Sequence, residues 1–337
     1  MEPLAISFLR TAKAQSSQVA IIDSNTQLTY GRLLAAALVF ARKLEPVMNQ
    51  RSNAGALEPE NHNTQNIGIL LPPSSGAVLA NLAVLMNGKT VVNLNYTAAT
   101  NVVALSMERA EIKTVLTSKR FLTKLEARGI DLNPLTEKAH FVYLEEVKEE
   151  IPKSSLIWAL LQVKLLPTAL LKRLYFQTTA LEDTAAILFS SGSEGIPKGV
   201  QLTHTNIMGN IKQISAVLNP QEEDVILNAL PTFHAFGLTV TTFLPLVEGI
   251  PMVCQPDPTD AKTIGRLVAQ YQVTILLGTS TFLRIYTRSR KVHPLMFNRC
   301  ASSSPVQNAS RRKYEMLSKK NLGKISTKAM VLPKPRQ

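Results

Sequence analysis

Residues 190–199 read S-S-G-S-E-G-I-P-K-G. Ser190, Ser191 and Ser193 supply hydroxyls, Lys198 supplies a cation, and Gly192, Gly195 and Gly199 let a backbone come close to whatever those donors hold. That combination suits a phosphate cradle, in which inward N–H groups, hydroxyls and a lysine share an anion. An ordinary Gly/Ser hairpin loop would use the same letters. A P-loop does not fit, because it needs Gly-Lys-Ser/Thr and here Lys198 precedes Gly199 and Val200. A second place for chemistry is His234, within L-P-T-F-H-A-F-G-L from Leu230. It reads either as a pocket contact or as a satisfied core histidine on the helix that follows. The third is Thr279, Ser280 and Thr281, within G-T-S-T-F-L from Gly278. Their hydroxyls can line a pocket or cap a helix start, and the two roles are compatible.

These residues need a scaffold, and the chain reads as short apolar runs alternating with helical patterns. Strands are expected at Ile67 to Leu71, from Val91, from Thr114, at Ala185 to Phe189, from Val225, from Ile250 and from Thr274. A helix is expected from Ser74 to Met86, and the polar stretch from Asn49 to Gln65 reads as a surface loop. Such alternation predicts α/β layers with largely parallel sheets. The most apolar stretch, Ile157 to Phe176, contains Lys164, Pro167, Lys172 and Arg173, which makes it a poor membrane span. It reads as a packed helix pair broken at Pro167. The sharper alternative is an interfacial pair with Trp158 and the lysines at a membrane boundary.

Composition bounds the function. The chain has 337 residues, 45% of them hydrophobic and 18% charged, which excludes whole-chain disorder and leaves material for about two domains. Two cysteines, Cys254 and Cys300, exclude a disulfide framework and a four-cysteine zinc site and point to a reduced, cytoplasmic setting. The first residues, M-E-P-L-A-I-S-F-L-R, carry no secretory pattern. The net charge of +13 is local: residues 298–337 hold ten Lys/Arg against Glu315 alone, leaving +4 for the rest. No aromatic or motif signature accompanies that charge, so no nucleic-acid partner is expected.

The longer string I-L-F-S-S-G-S-E-G-I-P-K-G-V-Q-L-T-H-T-N-I resembles the AMP-binding signature of the adenylate-forming enzymes, the acyl-CoA synthetase and luciferase superfamily. L-T-Y-G-R-L from Leu28 is similar to that family's early helix-start motif. The segments around His234 and Thr279 are similar to those near its acyl pocket, all in the family's order. Glu194 stands where most members have Thr. With F-H-A-F-G-L-T-V and L-G-T-S-T-F-L, that variant is similar to the synthetase half of bifunctional acyl-acyl-carrier-protein synthetases / 2-acylglycerophosphoethanolamine acyltransferases. Met1 opens almost directly on the adenylation module, so no acyltransferase is expected ahead of it. The resemblance implies the large N-terminal region of that fold over residues 1–297, stacked α/β subdomains around mixed sheets, with the C-terminal domain absent. It implies ATP and Mg²⁺ as cofactors, a fatty acid as substrate, and acyl carrier protein or CoA as acceptor; such a substrate and the Ile157 to Phe176 stretch allow a membrane surface as a further partner. By the same resemblance, Ser190, Ser191, Ser193 and Lys198 contact the β/γ-phosphates, and Gly192, Gly195 and Gly199 shape their loop. His234 lies beside the carboxylate and adenylate, and Thr279, Ser280 and Thr281 line the acyl pocket.

After Phe297 the resemblance stops. The family continues with V-V-A-G-A-E and later G-Y-G-x-T-E, whereas this chain has N-R-C-A-S-S-S-P-V-Q-N-A-S-R-R-K-Y. Back-translated with permitted codons and read from the third base, C-A-S-S-S-P-V-Q-N-A-S-R-R-K-Y yields R-L-V-V-A-G-A-E-R-L-S-P-E-V. K-A-M-V-L-P-K-P-R-Q likewise yields G-Y-G-A-T-E-T-T-P. Residues 298–337 therefore read as a basic, disordered, out-of-frame tail. The expected product is a truncated, poorly stable and inactive fragment, without the Thr-Glu pair that would hold adenylate and metal.

Overall fold

The computed structural model describes residues 1–24, 26–49, 66–190 and 196–301. Ten strands form two sheets. β1 (Val19–Asp23), β2 (Thr26–Thr29), β9 (Ile226–Asn228) and β10 (Met252–Cys254) make the smaller one, in the order β2-β1-β10-β9. β3 (Asn66–Ile69), β4 (Thr90–Asn93), β5 (Thr114–Thr117), β6 (His140–Tyr143), β7 (Thr184–Ser190) and β8 (Lys198–Thr203) make the larger, ordered β6-β5-β3-β4-β7-β8. Pairing is parallel except for β1–β2 and β7–β8. The largely parallel α/β architecture expected from the alternating pattern is therefore present.

The helix Ser75–Met86 shows why the layers stack. Its sequence, S-G-A-V-L-A-N-L-A-V-L-M, has no polar face, and nine of its residues are buried. A helix apolar all round must be covered all round. It touches β1 of one sheet and β3 and β4 of the other, so it is shared between them. Ser74 caps it by accepting from Ala77 N at 3.2 Å. Asp23, at the end of β1, accepts from both Ser75 N and Ser75 Oγ at 2.8 Å, placing an anion where the helix dipole is positive. One buried polar pair crosses the same layer: Asn93 Nδ2 donates to Asn81 Oδ1 at 2.9 Å.

The L-T-Y-G-R-L segment is a helix start. Thr29 caps the helix Tyr30–Met48 by accepting from Arg32 N. Tyr30, fully buried, donates its hydroxyl to Pro245 O at 2.7 Å. Burial without a charged partner raises its pKa.

Two expectations need correction. The Thr274 strand reduces to a single bridge, Ile275 to Ile226, because its backbone bonds reach only Val225 and Leu227 of the adjacent segment. The helix pair does form, as Lys153–Leu165 and Thr168–Tyr175 with Pro167 capping the second. It is packed on one side only, with Ala159, Val163 and Leu171 buried and Ile157, Trp158 and Leu165 exposed. Beyond Asn49 the expected polar loop lies outside the described residues. The tail lies outside them after Ala301. Its first residues form a helical turn, Asn298–Ala301, where Cys300 is buried and its Sγ donates to Val273 O at 3.0 Å. Burial pushes that thiol up to about 12. No described helix is long and apolar enough to cross a membrane.

Candidate functional site

β7 and β8 form an antiparallel hairpin with Phe189 opposite Gly199 and Ser190 opposite Lys198. Ser191, Gly192, Ser193, Glu194 and Gly195 of the expected cradle lie outside the described residues. Ser190 and Lys198 form the neck from which that segment springs. Both are exposed, and Ser190 Oγ donates to Lys198 O at the long distance of 3.5 Å. The ammonium of Lys198 makes no ion pair among the described residues. The hairpin reading and the cradle reading are thus compatible. Arg109 steadies the neck from outside, donating to Pro197 O at 3.0 Å. Gly199 has a packing reason to be glycine: a Cβ there would lie 3.2 Å from Phe189 Cε1 and Ile187 Cγ2.

Topology brings further groups to the same end of the sheet. β4 runs parallel to β7, with Val91 opposite Ala186, so the residues after β4 emerge beside Ser190. Among them is Tyr96. Its ring packs edge-on against Phe121 at 5.1 Å and against Phe233 at 5.0 Å, and Phe233 lies 4.5 Å from the His234 ring. Phe233 and His234 follow β9, and Asp257 follows β10. Asp257 stands 4.0 Å from Arg128 and is felt electrostatically at Tyr96. The segments at the carboxyl ends of both sheets therefore meet, and it is at such carboxyl ends that ligands of open α/β sheets bind.

His234 is exposed beside Phe233 and is not a core histidine. Partial burial lowers its pKa below the ordinary value, which favours neutral imidazole near pH 7. Its placement is set by Gly237: a Cβ there would sit 2.0 Å from Pro231 O, so only glycine lets the turn fold back on the helix. The π-helix Gly237–Phe243 continues from it, tied to β9 by Thr241 Oγ1 donating to Asn228 Oδ1 at 3.0 Å. The satisfied core histidine of this chain is His204. Its Nδ1 accepts from Leu4 N at 3.2 Å, and burial lowers its pKa to about 4.

Thr279, Ser280 and Thr281 are exposed at the start of the helix Ser280–Arg288. Thr279 occupies the N-cap, but its side chain makes no capping bond, which corrects half of the expectation. No hydrogen bond or ring contact joins these three to His234 among the described residues. Tyr96 was not foreseen. Its hydroxyl is buried with no partner among the described residues, and burial, then Asp257, raises its pKa while Arg128 opposes. No three His, Cys, Asp or Glu side chains converge as a metal site among the described residues. A hydroxyl and an unpaired ammonium at the hairpin neck do suit a phosphate-bearing ligand.

A family model described as AMP-binding enzyme matches residues 8–318, a span that runs past residue 297. A long-chain-fatty-acid–CoA ligase of Yersinia pestis is 30% identical over 147 residues, covering 42% of this chain and 26% of that protein. One from Haemophilus influenzae is 24% identical over 264 residues, covering 71% of this chain and 46% of that protein. The matched stretches thus span less than half of those relatives. Among solved structures, the O-succinylbenzoate coenzyme A synthetase from Bacillus subtilis, in complex with ATP and magnesium ion, superposes with a TM-score of 0.65 at 19% identity. The match covers 87% of this chain and 68% of that one.

Proposed function

The chain belongs to the AMP-binding enzyme family, and from that premise we propose that its hairpin loop and the strand ends beside it descend from a fatty-acid adenylation site. In that reaction a fatty-acid carboxylate attacks the α-phosphorus of ATP. Pyrophosphate leaves and acyl-AMP forms. The thiol of acyl carrier protein or CoA then takes the acyl group and AMP departs. A fatty acid is ionised at neutral pH, so the first step needs charge neutralisation and in-line positioning more than a general base. In this reading Ser190, Ser191, Ser193 and Lys198 hold the β- and γ-phosphates, and Gly192 and Gly195 shape the loop. His234 stands beside the carboxylate, and Thr279, Ser280 and Thr281 border the acyl chain. Mg²⁺ would offset the phosphate charge, and Glu194 repels a triphosphate unless the ion lies between them.

The observation that carries this reading is the Ser190–Lys198 neck at the carboxyl end of β7, with the Tyr96–Phe233–His234 cluster at the carboxyl ends of β4 and β9. The fatty-acid ligase names of the relatives support the substrate class. The Glu194 variant and the F-H-A-F-G-L-T-V segment support acyl carrier protein as acceptor, in the manner of the bifunctional synthetases. A cytoplasmic seat with access to a membrane surface fits such a substrate. The same proposal takes residues 298–337 as an out-of-frame translation and the chain as written as inactive. A second reading, a residual nucleotide- or acyl-binding remnant, is favoured by the absence of V-V-A-G-A-E and G-Y-G-x-T-E between Phe297 and Gln337.

The test is fatty-acid-dependent ATP–pyrophosphate exchange, run beside resequencing of codons 285 to 345 and onward. The chain as written is expected to give no exchange above blank, and a frame-restored chain is expected to give it. Robust exchange by the chain as written would overturn its inactivity. A frame-restored chain that stays silent with medium- and long-chain acids would overturn the adenylation reading.

A further inference from the structure

Seven of the twelve exposed large apolar side chains among the described residues fall between Lys153 and Phe176. Single exposed leucines need no explanation, but a contiguous apolar patch marks an interaction site. The helix Lys153–Leu165 has two apolar faces. Leu156, Ala159 and Val163 turn inward onto the helix Tyr30–Met48. Ile157, Trp158, Leu161 and Leu165 recur on the opposite face at exposures of 68%, 59%, 44% and 68%. The helix Thr168–Tyr175 continues the patch with Leu170 and Leu174.

The patch sits on a fixed platform. Lys13 Nζ donates to the terminal carbonyls of Val163 and Leu166, Tyr175 donates to Gln162, and the Arg42 guanidinium lies over the Tyr175 ring at 6.0 Å. Its charge has one sign. Lys153, Lys164, Lys172 and Arg173 are all exposed and none makes an ion pair among the described residues. No Asp or Glu occurs from Lys153 to Phe176, and the acid just before, Glu150, is held by Lys43 at 2.8 Å.

From this pairing of an apolar face with a purely cationic rim, we propose that the helix pair is a docking surface for an anionic lipid bilayer. The apolar side chains enter the acyl boundary, Trp158 sits at the headgroup level, and the four cations meet lipid phosphates. A second copy of this chain is a poor occupant, since two-fold pairing of the face would set cation against cation. A soluble acidic protein would answer the charge and leave most of the apolar face wet. The proposal stands apart from catalysis.

Trp158 is the single tryptophan, so it reports directly. The full chain is mixed with phosphatidylcholine vesicles, and with vesicles carrying about a third phosphatidylglycerol. The expected result is a blue shift of tryptophan emission and co-sedimentation with the anionic vesicles only, weakened by salt. Ile157→Ser/Leu161→Ser/Leu165→Ser keeps the reporter and should lose sedimentation. Lys164→Glu/Lys172→Glu should lower partition by about tenfold or more. All five positions are exposed, and circular dichroism checks that the fold persists. No blue shift with either vesicle overturns the proposal. So does equal binding to both vesicles that charge reversal leaves unchanged. A concentration-dependent dimer that the triple serine variant abolishes, or an apo-acyl-carrier-protein complex that displaces the vesicles without itself needing Ile157, Leu161 and Leu165, also overturns it.

Discussion

Lys198 follows the proposed phosphate loop directly on β8, and it makes no ion pair among the described residues. Lys198→Met is expected to weaken ATP binding by about tenfold or more, the usual loss for a hydrogen bond between charged groups, as read by titration calorimetry. Gly237 sets the turn that presents His234. Gly237→Ala should cost at least about 2 kcal/mol in urea unfolding, because the new methyl must displace a backbone carbonyl. His204 gives a pH signature. Its folded pKa of about 4 lies below the ordinary 6.5, so the unfolded chain takes up the proton first as pH falls. Stability is full above about pH 6.5 and is lost toward pH 4, by about 3 kcal/mol when fully expressed. His204→Gln keeps an acceptor for Leu4 N without titrating, and its stability should vary less across that window. The hairpin that carries the serine, glycine and lysine run was legible in the sequence, because an apolar strand leads into small, turn-forming residues. Tyr96 was not, since a lone tyrosine after a strand carries no pattern until the second sheet delivers Phe233 and Asp257 to it.

Strands that are buried on both faces announced themselves. V-V-N from Val91 and T-V-L-T from Thr114 are wholly buried within β4 and β5, and each is built on a β-branched or apolar pair with no charged residue. The edge strands did not. β8 reads K-G-V-Q-L-T and is exposed over its first four residues, and β6 reads H-F-V-Y with a single buried residue. An edge strand needs only half the burial, so its sequence need not be apolar. The helix Ser75–Met86 depends on a partner from another element. Asp23→Ala removes the acceptor for both Ser75 donors and the anion at the helix start. A loss of about 1–2 kcal/mol is expected in denaturant melts, with Asp23→Asn losing less.

At the scale of the molecule, that same helix makes the two sheets one cooperative body. Leu82, 1% exposed, lies in it. Leu82→Ala is expected to cost about 2–5 kcal/mol and to lower far- and near-ultraviolet dichroism midpoints together. Separate shifts of the two signals would mean that the sheets melt independently. The α/β class was legible from alternation alone. The division into two sheets was not, because nothing local in V-A-I-I-D from Val19 says that its neighbour is Met252 rather than Ile67.

That pairing sets a timetable. β1 leaves the ribosome early, while β10, against which Ile21 must lie opposite Met252, is made much later. At ordinary elongation rates the wait is roughly 10–45 s. The larger sheet has all six of its strands by Thr203, so it can close while β1 still has no parallel neighbour. Nascent chains halted before Met252 should therefore be cut by protease near Ile21 and protected across β3 to β7. Of the parallel pairs described, β1 with β10 is therefore the one that waits longest.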